Sequence, residues 1–139
     1  MPLWLIYALL ATFFAGLTSV LAKFGISKIN SDLGLAIRTS IVFVLVWLNL
    51  FAWGGIKGIE QLTSKSLLFL ILSGITTSLS WIFYYRAMKL GTVSYVAAID
   101  KGSIVITILL SVALLKEPLT PKLFLGAVFI FIGLIILIW

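Results

Sequence analysis

The chain has no cysteine and no histidine. Disulfides, thiolate catalysis, Cys/His metal sites and imidazole acid–base chemistry are therefore excluded. Charge is scarce as well. The 139 residues hold ten Lys and Arg and four Asp and Glu, where a soluble domain has about a quarter of its residues charged. What fills the chain is hydrocarbon: 63% of residues are hydrophobic and the mean hydropathy is +1.28. Such a chain is neither a water-soluble domain nor a disordered segment. The net charge of +6 would suit a nucleic-acid binder if the basic residues formed a patch. They sit singly, mostly at the ends of apolar runs, where membrane proteins keep them. No nucleic-acid partner is expected.

A helix needs about 20 apolar residues to cross about 30 Å of hydrocarbon. Five runs meet or approach this: Leu3–Ala22, Leu35–Trp53, Leu67–Tyr85, Val93–Leu115 and Lys122–Trp139. Strands of an outer-membrane barrel would alternate with period two. Phe129-Ile130-Phe131-Ile132 and Leu134-Ile135-Ile136-Leu137-Ile138 do not. The reading is an all-α, multi-pass membrane protein of five spans in the cytoplasmic membrane, one transmembrane domain over residues 1–139. Pro118 stops the fourth helix, and Thr120 reads as an N-cap with Pro121 at the first helical position. The first run lacks a basic leader and is too long for a signal peptide, so a retained span is expected. Trp4, Trp53 and Trp139 fall at span ends, as an aromatic belt would place them. Trp47 and Trp81 lie deeper, where packing is the usual role; the polar neighbours of Trp81 leave a pocket role open.

Five spans put the termini on opposite sides. The connections on one side carry Lys23, Lys28, Arg86 and Lys89; those on the other carry Lys57, Lys65, Lys116 and Lys122. The positive-inside rule counts these residues, and four against four decides nothing. Arg38 and Lys101, inside spans near the first side, tilt the balance only to six against four. Two readings stand. Either the chain has one orientation, set by insertion order or by those two charges, or it inserts both ways and opposed copies pair.

Ionisable residues inside a span are costly and face protein or water. Arg38 lies about one turn into the second span, and Asp100 and Lys101 about two turns into the fourth. Lys23 and Arg86 close the first and third spans, where snorkelling to headgroups suits them. It does not suit Asp100, whose short carboxylate sits about 10 Å from its helix start. Lys101 points about 100° away around the helix, which makes it a poor mate. Arg38, Lys23 or Lys101 of another chain are the better candidates. A structural ion pair and a substrate or proton site both remain open for Asp100.

Polar stripes recur at helical spacing: Thr12, Gly16, Ser19 and Lys23; Arg38 and Asn49, aligned through Val42 and Leu45; Gly74, Ser78, Trp81 and Tyr85; Ser103, Thr107 and Ser111. Small and hydroxylated residues are ordinary helix–helix glue in lipid, yet four striped helices can also surround a polar cavity. The fifth span differs. It is almost wholly apolar and carries Gly126 and Gly133 on one face, a close-packing surface suited to a dimer.

Three segments resemble a known family. Leu115-Lys116-Glu117-Pro118-Leu119-Thr120, followed by Gly126-Ala127 and Gly133, resembles the end of an EamA domain of the drug/metabolite transporter superfamily. So does Ser80-Trp81-Ile82-Phe83-Tyr84-Tyr85-Arg86-Ala87-Met88-Lys89, and Ala98-Ile99-Asp100-Lys101 is similar to the small single-domain branch. The resemblance covers essentially the whole chain. It implies a bundle of membrane helices that exports or exchanges small metabolites. Many members have ten spans made of two inverted five-helix repeats. This chain resembles one repeat, which an inverted copy would complete as an antiparallel homodimer. Inverted repeats place substrate near the midplane and work by alternating access. The related small multidrug resistance proteins couple protons through a carboxylate in the first helix; here that helix has none.

The expected function is secondary transport of a small metabolite, with no cofactor and no enzymatic step. The expected solute site comprises Lys23, Arg38, Trp81, Tyr84, Tyr85, Asp100, Lys101 and Ser103. Arg38 or Lys101 would attract a carboxylate or phosphate, Asp100 would hold an amine or orient the cations, and Trp81 and Tyr84 would stack on the solute. The cations point to an anionic or zwitterionic solute. Two rivals stand beside this reading. One is a flippase for a lipid-linked sugar or phospholipid; the other is a non-transporting subunit of a membrane complex.

Overall fold

Each helix starts and stops where a cap or a turn residue dictates, often outside the apolar run. The computed structural model describes residues 2–139. Helix α1, Leu3–Ile26, runs a turn beyond Ala22. Helix α2, Ser31–Ala52, starts at the Asn30 cap, whose side chain accepts from the Asp32 N–H at 2.7 Å. Asp32 in that first turn faces the positive end of the helix dipole. Gly54, at φ 66°, turns the chain into a short 3₁₀ helix, Gly55–Gln61. A side chain there would be strained in this left-handed conformation. The Lys57 side chain, counted above among the connection cations, lies outside the described residues. Helix α3, Ser64–Leu90, keeps Arg86 to Leu90 helical instead of releasing them as a connection.

The fourth span is not one continuous helix. It consists of α4, Val93–Asp100, α5, Ser103–Leu110, and a π-helical turn, Ser111–Leu115. At the break, Lys101 N–H donates to Ala98 at 3.1 Å and Gly102 N–H to Ile99 at 2.8 Å. These are i→i−3 bonds, so the backbone tightens at the break and both amides stay paired. Lys116 ends the span in the left-handed region at φ 56°, and Pro118 follows. Helix α6, Pro121–Ile138, begins as the sequence indicates: Thr120 accepts from the Leu123 N–H at 3.2 Å, with Pro121 in the first turn.

Among the described residues there are no strands, and five helical segments are long and apolar enough to cross a membrane. Serine and threonine hydroxyls inside them mostly donate to their own helix. Thr12, Thr18, Ser40, Ser78 and Thr107 each bond the carbonyl four residues back, which satisfies them without a partner. Apolar side chains lie almost entirely on the outside. Among the described residues only Ile26, Leu35, Tyr85 and Met88 are buried hydrophobics. An exterior of this kind is solvated by lipid or by other protein, not by water.

The chain divides into two compact units. One contains α1 through Val20 together with Gly91–Trp139; the other is Leu21–Leu90. In the first, α4 and α5 pack against α6. Gly102 makes this possible: a Cβ there would lie 3.0 Å from a Leu134 methyl. In the second, α2 and α3 pack antiparallel, and the end of α1 closes on them through Ile26.

Candidate functional site

In the Leu21–Leu90 unit, Leu35 and Tyr85 are buried on the seam between α2 and α3. At about 100° per residue, Arg38 stands about 160° from Ala36 around α2 and about 120° from Asp32. Trp81 and Arg86 are about 140° apart on α3. The seam therefore separates two polar settings.

On one flank the Arg38 guanidinium carbon lies 4.4 Å from the centre of the Trp81 ring and 5.9 Å from that of Tyr85. Tyr84 and Tyr85 are neighbours, with ring centres 6.5 Å apart. The aromatic faces carry the negative end of the ring quadrupole and hold the cation within the span. They leave its in-plane N–H groups uncommitted. Among the described residues the ion pairs are Arg86–Asp32 and Lys101–Asp100, and neither involves Arg38. Trp81 thus serves a cation of the protein, where the sequence reading gave its face to solute.

On the other flank, Arg86 forms a two-pronged pair with Asp32: Nε to Oδ1 at 3.1 Å and Nη2 to Oδ2 at 2.9 Å. The pair gives Arg86 a protein partner at the end of its span. Asp32 lies outside the apolar runs, in the stretch between the first two. The signal was present: a short link makes α2 and α3 antiparallel, so the first turn of one meets the last turns of the other. A cleft of about 370 Å³ opens beside this pair, lined in part by Ala36, Thr39, Ser78 and Trp81.

Lys23 is not simply snorkelling either. Its Nζ donates to the Met88 carbonyl near the end of α3. Lys89 returns the arrangement, donating to Ile26, Ser27 and Ile29 carbonyls at 2.7, 2.9 and 3.0 Å. Each lysine caps the C-terminal carbonyls of the other's helix, where the dipole favours a cation.

In the other unit, Asp100 and Lys101 pair at 3.6 Å between Nζ and Oδ2. Sequence spacing argued against this mate, because a continuous helix would turn Lys101 away. Lys101 keeps helical backbone angles at the end of α4, and its long side chain reaches the neighbouring carboxylate. Lys101 also lines a groove of about 440 Å³ with Gly16, Ser19 and Ser94. Ser103 opens α5, and its carbonyl accepts from Thr107 at 2.9 Å. A Cβ on Gly126 or Gly133 would meet nothing within 4 Å.

A family model described as the EamA-like transporter family matches residues 2–139. The chain belongs to the EamA-like transporter family. A relative in Sinorhizobium sp, named "Uncharacterized transporter in cobO 3'region", is 40% identical over 134 residues, spanning 96% of this chain and 95% of its own. No solved structure matches the chain. As an EamA-like transporter it is a multi-pass membrane protein. Both findings support a transporter role over an enzymatic one.

Proposed function

We propose that this EamA-like protein is a secondary transporter of a small anionic or zwitterionic metabolite in the cytoplasmic membrane. Two copies of opposite orientation form the working homodimer and expose the solute site to each side in turn. The reading rests above all on Arg38. It is a cation inside a span, held by the Trp81 and Tyr85 rings, and among the described residues no ion pair takes up its donors. A planar guanidinium with free N–H edges suits a carboxylate or phosphate. Lys23 and Tyr84 of the same unit, and separately Asp100, Lys101 and Ser103 of the other, are proposed as further solute-contacting residues. The Gly126 and Gly133 face of α6 offers the copies a close contact.

The test is flux into proteoliposomes of the purified protein, with small monocarboxylates, phosphorylated metabolites and amino acids set against organic cations. Saturable flux of an anion or zwitterion, abolished by Arg38→Gln in a variant that keeps its helicity and elution profile, is the expected result. Flux confined to cations, or unchanged by Arg38→Gln, overturns the reading.

A further inference from the structure

We propose that the cleft beside Asp32 and Arg86 is a binding site for a zwitterionic phospholipid bearing a primary ammonium, such as phosphatidylethanolamine. The Asp32–Arg86 pair does not involve Arg38, and Trp81 borders both settings. The lipid site rests on the pair and the cleft and not on the solute site. Asp32 is the second residue of α2 and Arg86 lies in the last turns of α3. The pair is therefore at the headgroup end of its spans. Both side chains are about half exposed, at 55% for Arg86 and 50% for Asp32.

Charge complementarity selects the occupant. An exposed ion pair contributes little to stability, so its members exchange partners readily. A headgroup with one phosphate and one ammonium offers each member an opposite charge: phosphate to the Arg86 fork, ammonium to the Asp32 carboxylate. The exchange leaves net charge unchanged. An anionic lipid would satisfy Arg86 alone and bring its charge against Asp32. A choline headgroup keeps the positive charge but has no N–H to donate to the carboxylate. Below the pair, the cleft of about 370 Å³ is walled by Leu35, Ala36, Ile82 and the Trp81 ring. That wall is apolar and suits the upper part of an acyl chain. Thr39 and Ser78 lie deeper in the cleft, and the Ser78 hydroxyl is already spent on the Gly74 carbonyl at 2.8 Å.

The test is native mass spectrometry of the full-length protein, titrated with phosphatidylethanolamine, phosphatidylcholine and phosphatidylglycerol of matched acyl chains. Retention of phosphatidylethanolamine about fivefold above the other two is expected, the discrimination one half-exposed charged contact supplies. Stepwise N-methylation of the headgroup should lower retention stepwise. Asp32→Asn and Arg86→Gln should each remove the preference. Ala36→Phe, which fills the cleft and leaves the ion pair intact, should displace the lipid even if the charge variants fail to fold. Equal retention of the three lipids overturns the proposal, as does a preference that survives Ala36→Phe. So does disulfide cross-linking of two chains through a cysteine at Ala36, because a second copy would then fill the cleft.

Discussion

The central carbon of the Arg38 guanidinium lies 4.4 Å from the centre of the Trp81 ring. A contact of this type contributes about 0.5–2 kcal/mol, more when water is excluded. It fixes the fork and directs its N–H edges sideways. Arg38→Lys keeps the charge and loses the fork. It should raise the apparent KM for an anionic solute at least about tenfold, the cost of one bidentate contact. Trp81→Phe, with a weaker ring, should have a smaller effect in the same direction. Uptake measured over a range of solute concentrations checks both.

Gly34 is where α2 admits the end of α1. A Cβ at this position would stand 2.5 Å from the Ile26 Cγ2 methyl, and Ile26 is 2% exposed. A β-branched side chain in a filled site has no rotamer to escape into. Gly34→Ala should destabilise by about 1–3 kcal/mol. Pairing it with Ile26→Ala should return part of the loss if this contact is the cause. Thermal melts in detergent of the single and double variants measure it.

Lys89 serves three carbonyls with its three ammonium donors. Lys89→Met removes the donors and keeps the aliphatic stem. The expected loss is on the order of 1–2 kcal/mol. Lys89→Arg should recover only part of it, since a planar fork cannot reproduce the tripod. The same melts provide the comparison, and recovery in full by arginine would show that charge alone matters.

The Asp100–Lys101 pair is long, at 3.6 Å, and its side chains are 38% and 64% exposed. Such a pair adds little to stability. Asp100→Asn should leave the melting temperature nearly unchanged while reducing solute flux. A drop in both together would mean that Asp100 is a structural residue.

Orientation is open to a direct measurement. The chain lacks cysteine, and a Cβ on Gly58 meets nothing within 4 Å, so Gly58→Cys provides a clean label. An impermeant thiol reagent on intact cells should reach about half the protein, with the rest labelled after lysis, if four-against-four loop charge produces dual topology. Labelling near zero or near complete would establish one orientation and require a different, inverted partner chain.

Much of this was legible without coordinates. Hydrophobic run length and the absence of period-two alternation are local properties, and membrane-spanning helices follow from them because the bilayer leaves no other way to satisfy a backbone. Thr120, Pro118 and Pro121 set their helix ends through bonds spanning three or four residues, so they too could be read from the chain. The ends of α2 and α3 were read short because hydropathy locates the hydrocarbon, not the helix. Asn30 caps α2 before the apolar run begins, and α3 runs past its apolar stretch to Leu90, with Arg86 facing Asp32 from its last turns.

The sequence by itself determined the class: an all-helical membrane protein whose few polar groups gather toward one half of the bilayer. Spacing along a helix says which residues share a face. It does not say which face meets which. Only the tertiary structure decided that Trp81 holds Arg38, that Arg86 pairs with a residue 54 positions away, and that Lys23 and Lys89 cap each other's helices. It also broke the fourth span at Lys101 and Gly102. These are contacts between segments distant in sequence, or backbone departures caused by such contacts. They are fixed by how α2 and α3 pack and by how closely α6 approaches Gly102.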